Sequence, residues 1–371
     1  MAQQIAGGSA AIGTDGRAVG EPPASEPWDE EEEVQGPPVS PECESRLAEL
    51  AAWCAELDAS PRCALPPSPE DDARLGQMLL GVWEASGALD TAGLRRNSPA
   101  QRRFQEVVGP FFWQSPIIHR CFTKPRGYAG DFLMMEDVYR NRPKGETSLG
   151  RWMDQWVLDQ PGFVAVRNRR DKLATLLRDE WAGGARHVMN VASGSACELA
   201  SVVETRPFRG ITLLDQDQGA LFAAVSALGP WVDPGCVRTW SGTVLSLVRA
   251  RTSLVPGDQD FVYSIGLYDY LSQRFATALT ARLWLHVAPG GLLVIGNFNG
   301  HNPMRRFIEA AMDWYLVYRD PPELLGLCAG LHDVKGAEVW TDPTGCLHLL
   351  VVRKRGVRPG LSVPPRPDSP A

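Results

Sequence analysis

Between about Arg186 and Lys354 the sequence alternates short β-prone runs with helical ones, and this alternation restricts the fold more than any other feature. HVMNVA, GITLLD, CVRTW, DFVYSI, GLLVIGNF, AEVWTD and CLHLLVV are the β-prone runs. They are short, rich in β-branched and aromatic residues, and mostly separated by apolar residues at helical spacing. Parallel neighbours need long crossovers, so such a pattern buries its apolar runs as a mainly parallel sheet with helices on both faces. DPTG at Asp342–Gly345 joins the last two runs directly and predicts an antiparallel pair at the sheet's edge. Upstream, from about Pro41 to Arg178, the pattern is helical. SRLAELAAWCAEL places Leu47, Leu50, Trp53, Cys54 and Leu57 on one face, and DARLGQMLLGVWEAS and AQRRFQEVVGPFFW continue it. The expected architecture is α/β, a Rossmann-like sheet, mainly parallel with an antiparallel edge strand, preceded by an α-helical domain.

Four segments follow from this reading. Residues 1–42, with WDEEEE at Trp28–Glu33, are a disordered acidic N-terminus, because they hold too little apolar surface to offset their ordering entropy. Residues 43–178 form a helical substrate or lid domain, and residues 179–355 form the Rossmann-like ligand-binding domain. Residues 356–371, GVRPGLSVPPRPDSPA, are a disordered proline-rich tail.

Composition narrows the partners. With 371 residues, a formal charge of −7 and no concentrated basic face, the chain does not suit nucleic acid as a partner. The cluster Arg167, Arg169, Arg170 and Lys172 reads as the solvated face of a helix. No apolar run approaches the ~20 residues that span a bilayer, and the N-terminal residues lack the pattern of a secretory signal. Eight scattered cysteines form no CxxC pair and no zinc-like grouping with histidine, so reduced, buried thiols in a cytoplasmic protein and no metal are expected. The partners left are small molecules.

In an open parallel sheet, ligands bind beyond the carboxyl ends of the strands, near the point where strand order reverses. The first strand runs into Ala192, Ser193 and Gly194, small residues over which a ligand can approach backbone. The second ends in Asp215, 21 residues after Gly194, close to the ~20 at which an acid meets a ribose diol. An ordinary buried turn and a surface acid would look the same at this level. The third strand ends in Ser241, Gly242 and Thr243, suited to an adenine edge. The fourth opens into Ser264, Gly266, Tyr268, Asp269 and Tyr270, and the fifth ends at Asn297 and Asn299. Of the histidines, His119 and His301 lie nearest this mouth, and neither has the spacing of a metal pair.

This order resembles the class I S-adenosylmethionine-dependent methyltransferases over about Arg186–Arg353, on the P-G-G-L-L-V-I strand and Asp215. The first motif departs from the pattern: Asn190 replaces an acid, and Ser195 and Ala196 replace glycines. KPRGYAGDFLMME (Lys124–Glu136) and MDWYLVYRDPPEL (Met312–Leu324) are similar to a bacterial subgroup that carries an N-terminal helical domain. Its members include enzymes that form 3-hydroxy fatty acid methyl esters and the azetidine-2-carboxylate synthases of peptide natural-product clusters. The resemblance implies S-adenosylmethionine as cofactor or substrate, held by Asn190, Ala192, Ser193, Gly194, Asp215, Ser241, Gly242, Thr243, Ser264, Tyr268 and Asn297. It implies catalytic roles for Tyr128, Asp131, Asp269 and Tyr270, and a peptide synthetase as receiver of the product.

Physically, RGYAGD combines a flexible turn with Arg126, Tyr128 and Asp131. Tyr128 suits a lid whose face attracts a sulfonium, and Asp131 suits either an acceptor for the ligand's amino group or a helix cap. Two chemistries fit. In one, the cofactor's own amine attacks its γ-carbon, closes a four-membered ring and expels methylthioadenosine; aromatic walls (Tyr128, Tyr263, Tyr268, Tyr270) and the acceptors Asp131, Asp269 and Asn297 suit that task. In the other, the methyl passes to a small carboxylic or hydroxy acid, with Arg126 and Arg319 as cations for a carboxylate. The absence of an obvious base for a foreign hydroxyl favours cyclisation. An inactive S-adenosylmethionine-binding scaffold is a third reading, drawn from the altered first motif.

Overall fold

The computed structural model describes residues 38–87, 96–249 and 259–358. The disordered segments expected at 1–42 and 356–371 lie outside these residues except for 38–42 and 356–358, where both boundaries are corrected below.

The helical region comprises α1 (Pro41–Asp58), α2 (Pro69–Ala85), α3 (Pro99–Val107), α4 (Gly109–Phe112), α5 (Pro116–Thr123), α6 (Phe132–Arg140), α7 (Ser148–Asp159) and α8 (Pro161–Ala182). Ser-Pro dipeptides start α1, α2, α3 and α5. Ser40, Ser68, Ser98 and Ser115 each accept an N–H of the first turn, and proline follows where no donor is needed. Ser40 therefore belongs to a helix start, and ordered chain begins before residue 43. The run AQRRFQEVVGPFFW divides into α3 and α4 around Gly109-Pro110, since proline cannot continue a helix from within.

All seven expected strands form: β1 (His187–Val191), β2 (Gly210–Asp215), β3 (Val237–Ser241), β4 (Gln259–Ser264), β5 (Val287–Phe298), β6 (Val334–Thr341) and β7 (Leu347–Lys354). They make one sheet in the order β3-β2-β1-β4-β5-β7-β6. The pairs among β1 to β5 are parallel, while β7 runs antiparallel to both β5 and β6. The Pro-Gly-Gly sequence is not a turn ahead of the fifth strand. It is a bulge inside β5, where pairing with β4 jumps from Gln259↔Val287 to Phe261↔Leu292 and Gly290 takes φ +74°. The helices α9 (Cys197–Val203), α10 (Gln218–Leu228), α11 (Val244–Val248), α12 (Gln273–Trp284), α13 (Arg305–Ala311) and α14 (Pro321–Gly326) complete the layers.

Alternate side chains of each strand feed two cores. Val188, Phe261 and Val294 pack with α8 and with Leu47, Trp53 and Trp152 of the helical region. Met189, Val262 and Leu293 pack on the opposite face with Leu279 and Leu283 of α12. The helical region and one face of the sheet thus share a continuous core. Helix α8 crosses the boundary expected between 178 and 179 and ends only at Ala182.

The tail boundary also moves. Arg358 is buried, donates to the backbone oxygen of Gly183 at 2.9 Å and pairs with the Glu180 carboxylate, which Arg353 also holds at 2.8 Å. Residues 356–358 are therefore part of the folded body. Among the described residues no helix is long and apolar enough to cross a membrane.

Candidate functional site

After β1 the chain proceeds outward through β2 and β3; it then returns to β4 and proceeds the other way to β5. The strand ends diverge at this reversal and leave a crevice. A cavity of about 660 Å³ fills it, within the ~300–1,000 Å³ range of small-molecule sites. Its floor is formed by the ends of β1, β2 and β4, and its roof by the Gly127–Phe132 loop and Trp314–Leu316.

The turn after β1 is strained. Ala192, Gly194 and Ala196 all take left-handed backbone, at φ +54°, +53° and +49°. The two alanines cost on the order of 1–3 kcal/mol each in that region. The turn persists because Asp215 holds it: one carboxylate oxygen accepts the Gly194 N–H at 2.9 Å and the other accepts the Asp217 N–H at 2.9 Å. Asp215 is 7% exposed, lines the cavity, and burial raises its pKa. Gly242 and Thr243 continue the same wall beside Trp240. Gly242 cannot carry a side chain, since a Cβ there would meet the Trp240 ring at 2.5 Å.

The roof is closely fitted. A Cβ on Gly130 would lie 2.9 Å from the Tyr270 hydroxyl and 3.0 Å from the Trp314 ring. That hydroxyl accepts the Trp314 indole N–H at 2.8 Å. Tyr128 and Tyr270 both face the cavity, and burial lifts both phenols well above their usual range. Arg126 pairs with Asp217, and Lys124 with Asp313, so the loop bearing Tyr128 is tied on both sides of the opening.

Besides Asp215, three buried charged side chains line the interior. Asp269, in the single turn Tyr268–Tyr270, accepts the Phe298 N–H through Oδ1 at 2.6 Å, and burial pushes its pKa up to about 6. Glu198 opens α9 and receives the Tyr263 hydroxyl at 2.8 Å and the Asn190 amide at 3.2 Å, both on Oε1. Burial raises its pKa as well. Arg169, from α8, is 3% exposed and donates to the backbone oxygen of Ile265.

The structure gathers Tyr128, Asn190, Ala192, Ser193, Gly194, Asp215, Gly242, Thr243, Asp269 and Tyr270 around one cavity. Five expected site residues lie elsewhere. Asp131 is the cap of α6, accepting the Leu133 and Met134 N–H groups at 3.0 Å and pairing with Arg120. Tyr268 is fully buried in the second core, its hydroxyl 3.0 Å from Thr280. Asn297 bridges the Val317 backbone oxygen and Arg319. Ser241 is exposed on β3, and the Ser264 hydroxyl is buried, outside the cavity lining and without a partner among the described residues. Tyr263 serves Glu198 from the core. Neither expected cation awaits a carboxylate: Arg126 is bound to Asp217, and Arg319 is 1% exposed with bonds to Gln273, Tyr268, Asn297 and Leu271. His119 and His301 are exposed and do not line the cavity.

Glu198 and Arg169 were not expected at the site, and the reading of Arg169 as solvated is wrong. The signal was its phase: Arg169 follows Val166 by three and precedes Leu173 by four, on the buried face of α8. No described group of His, Cys, Asp or Glu is arranged to hold a metal ion, and all eight cysteines are free.

The sheet order, the antiparallel seventh strand and the cavity at the reversal define the class I methyltransferase fold. A family profile described as "Putative methyltransferase" matches residues 129–216, from the RGYAGD loop to the residue after Asp215. Among solved structures, a "possible exported protein" from Bordetella parapertussis is 15% identical with a TM-score of 0.56, covering 85% of this chain and 97% of that one. The chain is also similar to the S-adenosylmethionine-dependent methyltransferase SibL (18% identity, TM-score 0.41, 84% and 96% coverage). The N-methyltransferase NodS from Bradyrhizobium japonicum, in complex with S-adenosyl-L-homocysteine, is 15% identical with a TM-score of 0.40 over 60% of this chain and 97% of that one. No curated protein matches the sequence.

Proposed function

We propose that this protein binds S-adenosylmethionine in the crevice between β1 and β4 and consumes it by displacement at a carbon of the sulfonium. The observation that carries this reading is the charge of the cavity. Three buried carboxylates line it (Asp215, Glu198 and Asp269), with Arg169 as the one buried cation among its described residues, while the less buried Arg96 and Lys124 pair with Asp313. Such a lining suits a ligand with a diol for Asp215 and two positive centres, a sulfonium and an ammonium. The cofactor supplies a strong leaving group, while the chain supplies position and charge.

Of the two displacements, ring closure is the one the cavity chemistry favours. It requires the ammonium to lose one proton; the free amine then attacks the γ-carbon as the carbon–sulfur bond breaks. Asp269, near pKa 6 and with Oδ2 unbonded among the described residues, is suited to take that proton. Arg126 and Arg319 are both consumed in structural bonds, which weakens the case for a foreign carboxylate as acceptor. Methyl transfer is the second reading, favoured by the Trp314 and Leu316 end of the cavity, which adjoins an apolar pocket lined by Phe163, Val166 and Ile308. In either reading the partners are small molecules.

Incubating the pure protein with S-adenosylmethionine alone and identifying products by mass spectrometry tests the proposal. Equal amounts of methylthioadenosine and azetidine-2-carboxylate are expected. S-adenosylhomocysteine formed only after a carboxylic or hydroxy acid is added would replace ring closure by methyl transfer, and no binding at all would remove both.

A further inference from the structure

The sheet has two edges, and they are guarded unequally. At one end β6 presents exposed Lys335 and Glu338, and its pairing with β7 slips between Val334 and Gly336. Charges and bulges of this kind keep a strand edge from pairing with another chain. At the other end β3 is VRTWS, paired with β2 without a slip from Val237 to Ser241. It has no proline and one charge, Arg238, which is exposed and ion-paired to no described residue. The helix beside this edge is also incompletely covered. α10 packs on β2 and β3 through Leu221, Ala224 and Leu228. A surface helix normally turns charged residues to water. Here no Asp, Glu, Lys or Arg occurs between Asp217 and Asp233, and the outer side carries Val225 and Phe222, the latter 77% exposed. Trp231, just past the helix, is 48% exposed. These two rings leave roughly 250 Å² uncovered, about a third of the ~800 Å² that each partner gives to a standard interface. The rest of α10 and the β3 edge adjoin them.

We infer that β3 and α10 form a two-fold interface with a second copy of this chain. The two sheets join edge to edge through β3, and the two α10 helices pack across the joint. Three properties select a second copy over another partner. The face of α10 holds no charge for an acidic or basic partner to read, and it is where two chains of net charge −7 repel least. The spacing fits as well. α10 sits over β2 and β3, so the paired helices stand two strand spacings apart, about 9.5 Å, and packed helices lie ~8–10 Å apart. The register also fits. A two-fold axis at Thr239, the centre of β3, sets this residue against Thr239 of the partner subunit. Arg238 then lies opposite Trp240 of the partner subunit, a cation–aromatic pair formed twice. Trp240 is half-buried and stands against Gly242 on the cavity wall, so each copy braces a wall of the other's cavity.

Sedimentation equilibrium of the full chain reads the assembly, and twice the monomer mass is expected at micromolar concentration. Phe222→Asp and Arg238→Glu both lie outside the cavity lining, and each is expected to sediment at the monomer mass with the circular dichroism of the parent. The register is read by Thr239→Cys, whose Cα atoms face each other across the axis at ~4.5–5.5 Å, within reach of a disulfide. Oxidised Thr239→Cys is expected to run as a covalent dimer on a non-reducing gel. Arg238→Cys, which faces Trp240 of the partner subunit instead of itself, is expected to run as a monomer. A wild-type chain that stays monomeric overturns the proposal; if hydrogen exchange then finds α10 protected, a terminal segment of the same chain covers the face instead. A dimer that survives both Phe222→Asp and Arg238→Glu overturns this interface, and so does equal cross-linking of the two cysteine variants. Should Phe222→Asp fail to fold, Arg238→Glu and the Thr239→Cys cross-link decide.

Discussion

Replacing Asp215 by alanine separates a ligand-binding carboxylate from one that only shapes a turn. In the free protein the carboxylate accepts one N–H on each oxygen, from Asp217 and Gly194, both at 2.9 Å. Each oxygen has further lone pairs, and the side chain lies on the cavity wall at 7% exposure, so water replaces a lost ligand bond poorly. Hydrogen bonds to a charged acceptor are worth about 1.5–3 kcal/mol each. Two ribose hydroxyls bound to Asp215 therefore give about 3 kcal/mol or more, a loss of roughly 150-fold in affinity. The orphaned Gly194 N–H adds to this by loosening a turn already strained at Ala192 and Ala196. The assay is calorimetric titration with S-adenosylhomocysteine, with melting curves to show that the variant folds. A folded Asp215→Ala whose affinity stays within threefold of the parent would refute the ribose contact and return Asp215 to a purely structural role.

Two further outcomes follow from buried charges. Asp269 has a folded pKa raised to about 6 by burial, so the folded state holds that proton more tightly than the unfolded one. Its contribution to stability is present at low pH and is lost as pH rises through about 6. Asp269→Asn is thus expected to melt higher than the parent at pH 8 and to converge with it only near pH 4, where the unfolded carboxyl is protonated as well. Parent turnover falls as pH drops through about 6; melting curves that run parallel across this range would show that Asp269 does not titrate as stated. Ending the chain at residue 355 removes Arg358 and its bonds to Glu180 and Gly183, which outweigh the ordering of three residues by about 2 kcal/mol. For a body of this size that is a melting shift of roughly 3 °C. Ending it at 358 instead should leave melting unchanged, and equal curves for the two truncations would show that the Arg358 clasp contributes nothing.

The fold was legible because it rests on local periodicity. The seven β-prone runs, the turn at Asp342–Gly345 and the helical face of α1 are each written within a dozen residues, and each forms as read. The site was legible where a strand end fixes position, at Ala192–Gly194, Asp215, Gly242 and Asp269, because strand ends in this topology converge on one crevice. Sequence alone also exposed the RGYAGD loop, but not how Tyr128 and Asp131 divide their work. Tyr128 faces the cavity while Asp131 turns back to cap α6, a choice of side-chain direction that residue type does not encode. Tyr268 and Asp269 are neighbours in one short turn, yet one is core and the other lines the cavity. Tertiary structure alone decided where the cations went. Arg126 and Arg319, promising in sequence, are spent on partners 91 and up to 51 residues away, whereas Arg169 arrives in the cavity beside Glu198 and Asp269. Pairing of charges depends on which distant segments the core brings together, and that is settled only when α8, the sheet and the loops pack as one body.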